Sequence, residues 1–183
     1  MRIRTRLAAM AMAGIVACGG AYGQSFTGRN DAGRNDDGRN DDGRNDASRT
    51  GAGRPEEVRA ERELFAAVNE ARRSQGKAPL RWNESLAVAA RRHAAAMAEH
   101  RSAQHGFEGE PSLSVRVKQT GAHFVWLSEN VTQGPQAEFI HTQFMKSPNH
   151  RTNILDADMN SIGVGVVQQD GQLFAVEDFA DLR

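Results

Sequence analysis

Apolar residues at Val58, Leu64, Phe65, Val68 and Ala71 recur at the spacing of one helical stripe, and they predict a first helix over Pro55–Gln75. Pro55 suits the first helical position, Glu56 and Glu57 complement the positive end of the helix dipole, and Gly76 marks the stop. Ala78 to Trp82 reads as an extended connector with two apolar anchors, after which Asn83 caps a second helix running to about Arg101. Its apolar face is Leu86, Ala89, Ala90, His93, Met97 and Ala98, and so many alanines predict close packing against a sheet or another helix. His93, on that face, reads as a core histidine with its hydrogen bonds satisfied; His100 lies nearly on the same stripe. A third, short helix is expected from a Ser112 cap through Gln119, closed by Gly121. Phe124–Leu127 is an apolar run that ends in Ser128-Glu129-Asn130. Gln136–Lys146 is a fourth helix with Phe139, Ile140, Phe144 and Met145 turned inward. Pro148 should end it, because proline disfavours helical geometry at the residue before it and has no N–H to donate. Two Val-rich runs, 160–168 and 172–179, flank Gln169-Asp170-Gly171 and form a hairpin. Helices first and antiparallel strands late indicate an α+β fold.

This reading begins at residue 55, and what precedes it is of another kind. Arg2, Arg4 and Arg6 followed by the apolar Leu7–Ala17 make residues 1–23 an export signal, with an apolar stretch too short to cross a bilayer. Two processing points stay open. Ala21-Tyr22-Gly23 suits simple cleavage, and Ile15-Val16-Ala17-Cys18 resembles a bacterial lipobox, in which Cys18 would carry a lipid anchor. Residues 24–54 contain a pentad repeat, Gly-Arg-Asn-Asp-Ala/Asp, from Gly28 to Ala47. It has no large apolar side chain to offset the entropy of ordering, so it is expected to be a disordered spacer. Its Asp pairs lack the alternating ligands and closing Glu of a calcium loop.

Composition narrows the class. The 23 Lys and Arg balance 23 Asp and Glu, which excludes a general nucleic-acid binder. The single cysteine, Cys18, lies in the leader, so the domain over 55–183 has no disulfide and rests on its hydrophobic core. Roughly 130 residues suffice for one.

The candidate chemistry lies in three segments: Gln104-His105-Gly106, Ser128-Glu129-Asn130 and Ser147-Pro148-Asn149-His150. Each reads as a loop, with His150 on a turn, where function concentrates. Two imidazoles and a carboxylate, His105, Glu129 and His150, can form an open three-ligand site for a divalent metal such as zinc. They can equally be a satisfied polar network that holds a cleft in shape. Ser147 beside His150 invites a nucleophile reading, but a Ser before Pro is ordinary turn chemistry and no Gly-x-Ser-x-Gly elbow is present. Asn130, Arg151 and Asn153 are expected to bond loop backbone, and Trp82 and Trp126 to belong to the core.

Taken together, Leu86–Met97, the His105 segment, Arg116…Gly121, Ser-Glu-Asn-Val-Thr-Gln-Gly at 128–134, Ser-Pro-Asn-His-Arg-Thr-Asn-Ile-Leu at 147–155 and Ile-Gly-Val-Gly-Val at 162–166 resemble the CAP superfamily of cysteine-rich secretory, antigen 5 and pathogenesis-related proteins, in its bacterial, disulfide-free branch. The resemblance covers about 64–179. It implies an α-β-α sandwich with a small antiparallel sheet between helical layers, and a cleft lined by two His and two Glu. His105, Glu129 and His150 match three of those four. Ser128 replaces the Gly of the Gly-Glu-Asn motif, and the second Glu is missing, since Phe144 and Ser147 stand where a Trp and that Glu are usual. The resemblance also implies a secreted or periplasmic binding module for a lipid, a peptide or a cell-envelope fragment. Weak metal-assisted hydrolysis is the alternative, and a purely structural scaffold is the third.

Overall fold

Pro55 opens α1 (Pro55–Ser74), where its fixed φ is an asset and its missing N–H no loss. Glu57 reaches back to the Arg54 amide at 2.9 Å and closes the first turn. The computed structural model of the chain describes residues 4–5 and 54–183. The elements that follow are β2 (Arg81–Trp82), α2 (Glu84–Glu99), α3 (Leu113–Gln119), β3 (Phe124–Gly134), α4 (Ala137–Lys146), α5 (Pro148–Leu155), β4 (Ser161–Gln169) and β5 (Gln172–Leu182), with β1 (Arg4–Thr5) ahead of them all. Apart from residues 4 and 5, the export-signal, lipobox and pentad-repeat readings lie outside the described residues.

The strands form one mixed sheet in the order β1-β3-β5-β4-β2. Its centre is antiparallel, as expected, but the short strands at both edges pair parallel, β1 with β3 and β2 with β4. The β4–β5 hairpin turns on Asp170 and Gly171, both at positive φ, which matches the twist of the strands it joins. Side chains alternate across the sheet. Ile162, Val164, Val166, Leu173, Ala175 and Phe179 pack with Leu64, Val68, Ile140, Phe144 and Ile154 of α1, α4 and α5. Phe174, Val176, Ala180 and Val131 face α2 and α3 on the other side. The result is the α-β-α sandwich.

Asn83 caps α2 by accepting from the Leu86 amide at 3.0 Å, and the whole predicted stripe is buried. The alanines serve a helix-to-sheet contact: α2 lies so close to β4 that only Gly163 and Gly165 leave room for it. On the far side of β4, α1 does a strand's work. Glu57 accepts from the Gln168 amide at 3.0 Å, and Glu61 from the Val166 amide at 3.3 Å. Carboxylates thus occupy donors that an exposed edge would offer to another chain.

Arg72, 1% exposed, joins the end of α5 to α1. Its guanidinium donates to the carbonyls of Ala78, Ile154 and Asp156, each at 2.8 Å. Burial pulls its pKa down and Asp156 opposes the shift. Lysine lacks the planar fork needed for three diverging carbonyls, so Arg72→Lys is expected to cost about 2 kcal/mol in denaturant unfolding.

Four expectations need correction. Ser128-Glu129-Asn130 is not a loop but the middle of β3, held on both sides of Glu129 by pairing with β5. His150 is not on a turn but in α5: Pro148 both ends α4 and supplies the first residue of the next helix, where Ser147 carbonyl accepts from Arg151 at 2.9 Å. Phe139 is not inward; it is 41% exposed. Ser112 stands at the start of α3 without a side-chain capping bond.

Candidate functional site

Glu129 projects from β3 toward α2 and α3, and the carboxylate is only 5% exposed. Burial of that charge demands a partner. It has two. Arg116 of α3 donates from Nη2 to Oε2, and the Nδ1–H of His105 donates to Oε1 at 2.9 Å. Arg116 is itself 3% exposed, and its Nη1 donates to the Pro111 carbonyl at 3.1 Å. Because Nδ1 of His105 faces an acceptor, the neutral ring presents Nε2 as a lone pair. That atom is buried and has no hydrogen-bond partner among the described residues.

The loop bearing His105 is fixed from α2. His93 Nε2–H donates to the Gln104 carbonyl at 2.8 Å, and its Nδ1 lies 2.6 Å from Glu110 Oε1. A carbonyl only accepts, so the Nε2 proton is fixed, and the short Nδ1 contact needs a second proton shared with Glu110. His93 is therefore the satisfied core histidine expected of it. Glu110 also accepts from the Phe107 amide at 3.2 Å, and the Phe107 ring stacks on His100 at 4.2 Å.

His150 approaches from the other face of the sheet, on α5. Its ring meets Phe144 edge-on at 5.1 Å. Burial, and then the neighbouring His105, lower its pKa. The outer edge of β3 joins the two faces: Asn153 of α5 donates to the Glu129 carbonyl at 3.3 Å and to Asn130 Oδ1 at 2.9 Å. Asn130 in turn donates to the His150 carbonyl at 3.2 Å and to Glu177 Oε2 at 3.1 Å. Asn130 and Asn153 do bond backbone as expected, although Asn130 also ties a buried acid that the motifs did not suggest.

Ser147 stands at the joint between α4 and α5 and bonds through its backbone, donating its amide to Gln143 at 3.1 Å. Its hydroxyl makes no capping bond. Trp82 packs edge-on against Phe65 at 5.5 Å, with its indole N–H donating to Glu84 at 2.9 Å. Trp126 is partly buried against the core.

Among the described residues no group of three or more His, Cys, Asp or Glu has the geometry to hold an ion. Both Glu129 oxygens accept hydrogen bonds, one from the Arg116 guanidinium and one from His105.

Sequence reading missed Arg116 as part of the site, along with Asp178. Asp178 sits opposite Glu129 in the β3–β5 register and is fully buried. Burial first, and the Glu129 charge next, push its pKa well up against the pull of Arg116. The signal in the sequence was a charge on an apolar stripe: Arg116 follows Leu113 by three and precedes Val117 by one, and all three are buried. Two open surface cavities, of about 520 Å³ along Lys146, Pro148 and Arg151 and about 600 Å³ between Arg59, Glu138 and His141, include none of the three residues.

Comparison with known proteins decides the family. The model of the CAP, cysteine-rich secretory protein, family matches residues 65–179. The chain belongs to the CAP family. It does so without the cysteines of the family's name, since Cys18 lies outside the matched stretch. The CAP chain is 29% identical over 109 residues to the uncharacterized protein YkwD of Bacillus subtilis, covering 59% of this chain and 42% of YkwD. Among solved structures it is similar to an extracellular protein containing an SCP domain from Bacillus anthracis, with a TM-score of 0.64, 21% identity, and coverage of 72% of this chain and 45% of that one. An outer surface protein of Borrelia burgdorferi superposes with a TM-score of 0.63 at 19% identity, covering 68% of this chain and 94% of the other. The chain thus spans less than half the length of the two Bacillus proteins.

Proposed function

We propose that this CAP domain is an exported binding module whose ligand enters at the outer edge of β3 and donates an N–H or O–H to His105 Nε2, with His150 as its neighbour. The single observation that carries this reading is the buried, unpartnered Nε2 of His105, held in one tautomer by Glu129. A buried acceptor without a donor is costly, and a ligand removes that cost. Export is supported by the basic and apolar leader at residues 1–23, and by the similarity to proteins described as extracellular or outer surface. Cys18 would be the anchor if the lipobox is used.

The alternative, weak metal-assisted hydrolysis using His105, Glu129 and His150, lacks the second Glu that could serve as a general base. Both Glu129 oxygens already accept from Arg116 and His105. Binding is therefore the better use of this geometry.

The test uses soluble cell-wall fragments, short peptides and phospholipid vesicles as probes, with the imidazole Cε1–Hε1 signals as readout. We expect one probe class to move the signals of His105 and His150, and the His105→Ala/His150→Ala variant to bind it at least about tenfold more weakly at a nearly unchanged melting temperature. Equal binding by the variant would sink the proposal. Unfolding of the variant would make the pair structural. Chelator-sensitive hydrolysis of a peptide substrate would turn the assignment to the enzyme.

A further inference from the structure

The two sides of the sheet are finished differently. At β4 the carboxylates of Glu57 and Glu61 take the amides of Gln168 and Val166. At β3 the finish is main chain: Arg4 and Thr5 lie parallel to Trp126 and Leu127 as β1, which among the described residues is the only strand on that side. On the export reading β1 belongs to the leader, and removal of the leader uncovers this edge.

Two features bound the uncovered stretch. A register shift between Phe124 and Trp126 interrupts the strand at one end. At the other, Asn153 of α5 donates to the Glu129 carbonyl at 3.3 Å and fills the place of a neighbouring strand. Leu127 and Glu129 stand in unbroken register with Ala180 and Asp178 of β5, so their backbone groups point to the same side. The Glu129 carbonyl faces outward to Asn153; the N–H and C=O of Leu127 therefore face outward as well. Such an edge is a template for another extended chain.

We propose that the β3 edge at Trp126 and Leu127 is a strand-addition site for an extended peptide, which takes the register of residues 4–5 and runs on into the cleft between His105 and His150. The inference rests on the reading of that cleft as the binding site and names its ligand class.

Strand direction decides where the peptide goes. Because β1 runs parallel to β3, residues that follow the paired ones advance from Leu127 toward Glu129. At roughly 3.3 Å per residue, two more residues reach the level of Glu129. There Asn153 already holds the carbonyl, so the ladder stops and the peptide leaves the strand. Its next backbone N–H then stands beside the imidazole that Glu129 orients, whose buried Nε2 accepts. A ladder this short holds a peptide weakly, and the cleft contact supplies the rest. A lipid chain or a glycan lacks the alternating N–H and C=O groups that the edge selects; an extended peptide has them.

The experiment uses the exported chain, residues 24–183, and the full chain, with a synthetic peptide of residues 1–8 as probe. Added to the exported chain, the peptide is expected to move the Leu127 amide signal and the His105 Cε1–Hε1 signal together. Methylating the peptide's amide nitrogens at residues 4–6 keeps its side chains and should weaken binding at least about tenfold. The full chain should also bind the peptide at least about tenfold more weakly, because its own β1 holds the edge. Arg4→Pro/Thr5→Pro/Arg6→Pro in the full chain should restore binding, since proline cannot donate to a ladder, and this arm needs no truncation. A Leu127 amide that stays still, or equal binding by the methylated peptide, overturns the proposal. So does dimerisation of the exported chain through Leu127, which would give the edge to a second copy. Failure of the cleft reading looks different: Leu127 then moves and neither imidazole does.

Discussion

Gly165→Ala is expected to cost at least about 3 kcal/mol and to leave much of the protein unfolded at 37 °C. A Cβ at that position would lie 2.2 Å from the Arg91 amide nitrogen and 2.3 Å from the Ala90 carbonyl carbon. Both are backbone atoms of α2, so no rotamer change relieves the clash, and the helix must lift from the sheet. Lifting it breaks contacts of Ala90, Ala94 and Met97 with Val131, Phe174 and Val176. Gly163→Ala meets the same obstacle at the Ala87 amide, 2.1 Å away. Gly106→Ala is the control, because nothing lies within 4 Å of its new methyl, and its stability should stay within about 0.5 kcal/mol of wild type. Urea unfolding of the three variants checks the order. If Gly165→Ala unfolds at the wild-type midpoint, the close seating of α2 on β4 is wrong.

Arg116→Met is expected to lose about 3–5 kcal/mol, because it removes the cation from a buried pair and leaves its partner charge behind. The side chains of Arg116 and Glu129 are 3% and 4% exposed. Without the guanidinium, Glu129 faces the buried Asp178 with only His105 to stabilise it. The cheapest response is for Glu129 to take up a proton. That ends its role as the acceptor fixing the His105 tautomer, so the variant should show a changed His105 Cε1–Hε1 signal at pH 7 as well as a lower melting temperature. Glu129→Gln in the same background relieves the stranded charge and should recover part of the loss. If Arg116→Met is no less stable than wild type, the site is not organised by this ion pair.

Several features of the site were legible because local chemistry wrote them. The Asn83 cap, the Pro55 start and the alanine-rich stripe of α2 are spelled by neighbouring residues. So is the Asp170-Gly171 turn, since a two-residue hairpin needs positive φ at both positions. Ser128-Glu129-Asn130 was misread for a physical reason. Polar residues in succession look like a loop, yet here both faces of β3 are buried, and Glu129 and Asn130 find their partners in different layers, Glu129 from α3 and the His105 loop, Asn130 from α5 and β5. His150 was misplaced because proline signals the end of one helix and the start of another with the same residue.

By itself the sequence determined the α+β order of elements, the helix-to-sheet alanine contact and the three motif residues His105, Glu129 and His150, because periodicity, caps and turn chemistry act over a few neighbours. Only the tertiary structure decided what those residues face. Arg116 and Asp178 flank Glu129, and Glu177 lies under Asn130, through strand register and helix packing that join positions far apart in the chain. A carboxylate's charge state and free lone pairs depend on such partners, which no run of neighbouring residues records.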